Sequence, residues 1–265
     1  MSVFDCLRRN TRLPLYVPPL RWREEHLEHL RVSKTVSKLE LPTVPDDIVE
    51  AMNPIPGVPA PRSKKYVDLR WFCESAIFEL LETIGLSFKY YAQTDRHRID
   101  LTLKRIKTPI VPDCVVYAHT NYIDLRIFVV ILSSVQESRL PGAEAVKRLP
   151  KRHVVQRDGR EYPLSPFSFA ALLAVAQNRY ASRRGLDFYE ADMIYIEADC
   201  SVTLISAEFP RNYLEHVVTG EGELEKEAVV KLSVLEGLSA PDSWSSYQPF
   251  LWLVKEHFEA TDPMD

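Results

Sequence analysis

Asp113 follows Pro112 and stands just before the apolar run Val115–Tyr117. Asp100 and Asp124 lie close along the chain and could join it as carboxylates, with Lys104 or Lys107 as the neighbouring cation. Carboxylates are the natural ligands of Mg2+. A metal held by them lowers the pKa of an attacking water and stabilises charge on phosphate oxygens. A second acidic group, Asp187, Glu190, Asp192, Glu197 and Asp199, flanks a later strand and reads as its solvated face and loop. His26 and His29 have a spacing that can bind zinc on a helix, but no further ligand pair stands nearby. We read them, with Glu25 and Glu28, as a solvated helix face. His119 beside Asn121 belongs to an exposed turn.

Other chemistries lack their residues. There is no G-x-S-x-G and no serine with an evident His and Asp partner. No P-loop or G-x-G-x-x-G occurs, and the chain has only 8 glycines, so a glycine cradle for a nucleotide is disfavoured. Cys6, Cys73, Cys114 and Cys200 are scattered without metal-ligand spacing and read as reduced thiols of an intracellular protein. Basic residues are the remaining resource. Arg148, Lys151, Arg152 and Arg157 lie in a charged connection, and with the basics of Lys89–Lys107 they could contact phosphates. Tyr90, Tyr91 and Tyr117 could stack on bases.

The elements that must position these residues follow from periodicity. Tyr66–Gly85 reads as a helix, with Asp68 as N-cap and Gly85 as C-cap. Leu86–Tyr91 reads as a strand, and Ile99–Lys107 alternates like one half-exposed strand. Ile110–Ser134 reads as a hairpin, its second run, Ile127–Leu132, apolar enough to be covered on both faces. Arg157-Asp158-Gly159-Arg160 is a turn signal. Ser165 and Pro166 open a helix with Phe169, Leu172, Leu173, Ala176 and Tyr180 as its stripe; Gly185 ends it. Met193–Glu197 and Val202–Phe209 read as a strand pair, Arg211–Thr219 as a short helix ending at Gly220, Val229–Leu235 as a strand, and Trp244–Phe258 as a final helix.

Residues 1–62 hold 9 of the 19 prolines and form a Pro-rich N-terminal arm that wraps the body or grips a partner. Within it, Trp22–Leu39 reads as a helix. Residues 63–265 read as a single domain whose last third is acidic. Residues 1–186 carry a net charge of +9 and residues 187–265 one of −13, within a total of −4. Such asymmetry marks either an interaction surface or two halves that neutralise each other. No apolar run approaches the roughly 20 residues needed to span a bilayer, and the N-terminus has no apolar leader. The 46% hydrophobic and 26% charged residues are those of an ordinary soluble globular protein. The elements read along the chain predict an α/β or α+β fold: a central mixed sheet flanked by helices.

The order of elements is helix, three or four strands with Pro-Asp at the start of one, helix, then strands. Over roughly residues 66–209 it resembles the core of the PD-(D/E)XK nuclease superfamily. That resemblance implies a restriction-endonuclease-like core with Asp113 as the Pro-Asp aspartate, Glu74 or Glu79 as the acid of the first helix, and Gln177 as the glutamine often found on the second core helix. The strand that should carry Glu-x-Lys departs from the pattern, with Ile131 in place of the glutamate and Ser133 in place of the lysine. The resemblance therefore implies a degenerate, non-catalytic binding or assembly module of an intracellular complex, cytoplasmic or nuclear. Such a module needs no cofactor, has a protein partner, and does not use a membrane. One rival is an active nuclease with rearranged ligands, requiring Mg2+ or Mn2+, in which Asp113 is essential and Asp100 is a further metal candidate. The other is a structural subunit without nuclease ancestry.

Overall fold

A computed structural model describes residues 19, 22, 24–39, 43–51, 87–91, 99–110, 114–120, 124–132, 154–157, 160–163, 166–196, 202–221, 228–235, 249, 252, 253 and 256. The expected Tyr66–Gly85 helix lies outside them. The strands are β1 (Val32–Leu39), β2 (Ser87–Tyr91), β3 (Ile99–Leu103), β4 (Ile106–Ile110), β5 (Cys114–Thr120), β6 (Asp124–Leu132), β7 (Val154–Arg157), β8 (Arg160–Pro163), β9 (Phe188–Ile196), β10 (Val202–Pro210) and β11 (Ala228–Leu235). The helices are α1 (Glu24–His29), α2 (Asp46–Ala51), α3 (Pro166–Ser182) and α4 (Arg211–Thr219).

The architecture is α/β. Among the described residues, seven strands form one mixed sheet in the order β1-β11-β10-β9-β6-β5-β2, and β3–β4 and β7–β8 form separate hairpins. The expected hairpin around Asn121 is β5–β6, antiparallel with Cys114 opposite Val130 and Tyr117 opposite Ile127. β6 and β9 are parallel, so the chain between them must cross over the sheet, and α3 is carried in that crossover. β10 then returns antiparallel to β9.

α3 is the centre of the molecule. Pro166 suits its first position, because the missing N–H has no partner there in any helix. The run Phe169–Ala176 continues it with good helix formers. All residues from Pro166 to Gln177 are buried, so the helix is enclosed on all sides rather than along one stripe. β9 and β6 pack against it from the sheet, and β3 packs against it as well. The rings of Phe169, Phe209 and Tyr213 pack in sequence, tilted by 48° at each step, with centroids 5.9 Å and 5.8 Å apart.

Two segments fold differently from their sequence pattern. The helix expected over Trp22–Leu39 is only α1, six residues long, and the chain then becomes β1. Arg31 breaks the helix at a φ of 50°, and VSKTVSKL supplies the β-branched Val32, Thr35 and Val36 in a segment that pairs in parallel with β11. Trp22, Leu27 and Leu30 lie in the same core as α3, so this part of the N-terminal region is built into the body. The single strand expected over Ile99–Lys107 is the first half of the β3–β4 hairpin, which turns at Lys104-Arg105 with φ of 47° and 65°. Smaller differences are extensions. β9 begins at Phe188, and β7–β8 flank the expected turn. Of the C-terminal helix, residues 249, 252, 253 and 256 are described as helical, and the Trp252 indole N–H donates to Glu256 Oε1 at 2.9 Å.

Candidate functional site

Three of the chemistry-bearing residues, Asp100, Lys104 and Gln177, belong to the elements that join where the β3–β4 hairpin lies on α3 and α4. The hairpin presses Ile99, Leu101 and Leu103 into the core and leaves Asp100, Thr102 and Lys104 on the alternate face. Gln177 reaches its edge as an extra strand would. The Thr102 N–H donates to Gln177 Oε1 at 2.7 Å, and Gln177 Nε2 donates to the Thr102 carbonyl at 2.8 Å. Both halves of the amide are engaged, and Gln177 is buried.

The hairpin's turn then caps α4. A helix leaves its last carbonyls without intrahelical donors. Here Gly220 N–H donates to the His216 carbonyl at 2.7 Å, Lys104 N–H to that of Val217 at 2.9 Å, and Arg105 N–H to that of Val218 at 2.7 Å. Two non-glycine residues in the left-handed region cost about 1–2 kcal/mol each. The two capping bonds offset this, as do two cations placed at the negative end of the helix dipole. Gly220 has a φ of +74°, and a Cβ there would fall 2.7 Å from Lys104 Cγ, so the lysine stem lies directly over it. Arg105 forms an ion pair with Glu221 at 2.7 Å with both side chains about three-quarters exposed, which contributes little.

The Asp100 carboxylate lies 4.0 Å from Lys107 Nζ across the hairpin. Among the described residues no group of three His, Cys, Asp or Glu side chains could hold a metal ion. Asp113, Glu74, Glu79, Arg148, Lys151 and Arg152 lie outside the described residues. Arg157 is placed only as the end of β7, and Asp124 only as the start of β6, opposite Thr120.

Sequence reasoning missed a polar pair on the central sheet whose carboxylate is buried. Asp192 is 5% exposed, and Ser206, directly opposite on β10, donates its hydroxyl to Asp192 Oδ1 at 2.8 Å. The solvated face expected for this acidic group holds for Asp187, which is exposed, but not for Asp192. One pleat along, Glu190 stands opposite Glu208, both half-buried. The sign in the sequence was the alternation FYEADMIYI, which places Asp192 inside a strand once β9 is begun at Phe188. His26 departs from expectation in the same way. It is buried and stacked on Trp22 with ring centroids 5.8 Å apart, rather than solvated.

Two tyrosines have perturbed titrations. Tyr213 donates to the Leu30 carbonyl at 2.8 Å, and complete burial raises its pKa far above the ordinary phenol value. Tyr180 is also raised, first by burial and then by the Glu215 carboxylate, to which its hydroxyl donates at 3.2 Å.

The class this geometry defines is an α/β protein with a mixed sheet and a buried crossover helix. No protein-family model matches the chain, and comparison with curated proteins finds no match.

Proposed function

We propose that the protein is a non-catalytic binding or assembly module with a PD-(D/E)XK-like core, acting inside the cell through a protein partner. The observation that carries this reading is the path of the sheet. β2, β5 and β6 form an antiparallel meander, α3 is carried in the crossover to β9 parallel to β6, and β10 closes antiparallel. This order of strands, helix and strands supports the likeness drawn from the sequence. Asp113 directly precedes β5, whose first residue Cys114 pairs with Val130. The resemblance would put the second carboxylate at Ile131, which pairs with Tyr195 on β9. Val129, two residues earlier and so on the same side of the strand, pairs with Met193, a core residue. Gln177, also carried over from the resemblance, holds Thr102 with both ends of its amide.

Calorimetric titration with Mg2+ and Mn2+, wild type against Asp113→Ala, tests the reading, with cleavage of single- and double-stranded DNA and RNA assayed in parallel. We expect neither metal binding nor cleavage in either protein. Binding and cleavage that disappear together in the variant would establish a rearranged nuclease site and overturn the proposal.

A further inference from the structure

The turn between α3 and β9 carries a feature that the nuclease-like reading does not use. Ala181, Ser182, Arg183, Arg184 and Gly185 are all exposed, the longest unbroken exposed run among the described residues. Gly185 has a φ of +109° with nothing within 4 Å of where a Cβ would stand, so the space around it is open. The chain is pinned on either side of the turn. Before it, the Arg183 N–H donates to the Arg179 carbonyl at 2.8 Å, and the Arg183 carbonyl accepts the Tyr189 hydroxyl at 3.1 Å. After it, the Asp187 carbonyl accepts the Arg211 N–H at 2.8 Å. Among the described residues, no main-chain hydrogen bond holds Arg184, Gly185 or Leu186. Exposed turns of this kind are preferred places for a chain to be cut, because few bonds must open before a protease seats the segment.

The charge of the chain changes sign at the same turn. Gly185 and Leu186 are uncharged, so residues 1–184 carry +9 and residues 185–265 carry −13. The acidic part is built into the middle of the sheet. Its strands β9, β10 and β11 lie between β6 on one side and β1 on the other, both supplied by the basic part. β9 pairs with β6 over Phe128–Leu132, and β11 pairs with the whole of β1. Tyr189, Met193, Ile205, Phe209, Tyr213 and Leu214 fill the core shared with α3. The Lys104 and Arg105 N–H groups cap α4, and the Tyr213 hydroxyl donates to the Leu30 carbonyl. None of these contacts depends on the peptide bond at the turn.

We propose that the Arg184–Gly185 bond is a processing site for serine endopeptidases that cut after arginine, and that the cut chain stays together as a two-piece molecule. Arg184 is the side chain that enters the protease's acidic specificity pocket. Gly185, without a Cβ, lets the protease backbone come close. The bond after Arg183 is not the site, because its carbonyl is held by Tyr189. In the reaction the protease serine Oγ bonds to the Arg184 carbonyl carbon, the C–N bond to Gly185 breaks, and the amine leaves with a proton from the protease histidine. Water then displaces the serine, giving an Arg184 carboxylate and a new ammonium group on Gly185.

The test digests the intact chain with trypsin at a low enzyme ratio and follows the products by intact-mass spectrometry, with size-exclusion chromatography in buffer and in urea. The expected result is cleavage after Arg184 several-fold faster than after Arg31, Arg105, Lys107 or Arg183, which are also exposed. The piece beginning at Gly185 should elute with the rest of the chain in buffer and apart from it in urea. Arg184→Gln should lose this cut and keep the others, with an unchanged thermal melt showing that it folds. A bond after Arg184 that outlasts the bond after Arg105 would overturn the processing site, since the turn would then be closed to proteases. Release of the Gly185 piece in buffer would overturn the two-piece molecule.

Discussion

Tyr213 offers a test of the core that reads both its packing and its ionisation. Its hydroxyl is the donor to the buried Leu30 carbonyl, and it joins α4 to the segment after α1. Tyr213→Phe keeps the ring but leaves that carbonyl without the donor, which costs about 1–3 kcal/mol at neutral pH. The alkaline behaviour is the sharper part. Burial raises the folded-state pKa above the unfolded value of about 10. Below that value the phenol is protonated in both states, and its contribution to stability is intact. Above it the unfolded chain loses the proton while the folded chain keeps it, so the unfolded state binds fewer protons and stability falls as pH rises. The loss is about 1.4 kcal/mol per pH unit from this one group. The variant lacks it. Urea unfolding of both proteins at pH 7, 9, 10 and 11 should therefore show a constant deficit for Tyr213→Phe up to pH 9. That deficit should shrink by roughly 1.4 kcal/mol by pH 11. Other tyrosines contribute equally to both proteins and cancel in the difference. Two curves that stay parallel to pH 11 would mean that Tyr213 ionises in the folded chain, and the reasoning from its burial would fail.

The hairpin junction yields three further expectations. Gln177→Leu removes both amide bonds to Thr102 and should cost about 1–3 kcal/mol, with faster hydrogen exchange at the Thr102 amide. Unchanged exchange would show that the hairpin is held by its apolar side chains alone. Gly220→Ala should lower stability by about 1–2 kcal/mol from the left-handed backbone alone, with the contact on the Lys104 stem adding to it. A thermal melt that does not shift would contradict this. The paired change Lys104→Asn with Arg105→Gly supplies the residues that a two-residue turn prefers. It should raise stability by roughly 1 kcal/mol net, after loss of the two cations from the helix end. A fall in melting temperature would show that the cations and the lysine stem outweigh the strain.

What could be read from the sequence were the elements whose own residues determine them. The Pro166 start, the Phe169–Ala176 run and Gly185 define α3 without help from the rest of the chain, and the polar interruption between two apolar runs defines β5–β6. The failures came where distant residues decide. VSKTVSKL could continue a helix until β11 offers it a strand edge to pair with, an interaction nearly 200 residues away in sequence. Lys104-Arg105 lacks the Asn-Gly signature of a tight turn because α4 provides the compensation, through carbonyls that only the folded chain brings to those two amides. Asp192 looked like one of several surface acids because its partner Ser206 is on the next strand. The enclosure of α3 was hidden for the same reason. Its second cover is the β3–β4 hairpin, which the sequence showed as a single strand.

These contacts also bear on why a charged site would be hard to keep at the middle of this sheet. On the α3 side, Tyr189, Ala191 and Met193 of β9 and Ile205, Ala207 and Phe209 of β10 are all buried in the core. A lone carboxylate placed in such surroundings must be paired, bound to a cation or protonated, because desolvation of the charged form costs several kcal/mol. The opposite side shows what the sheet tolerates instead. There Asp192 is accommodated with a serine hydroxyl as donor, and Glu190 and Glu208 keep partial exposure.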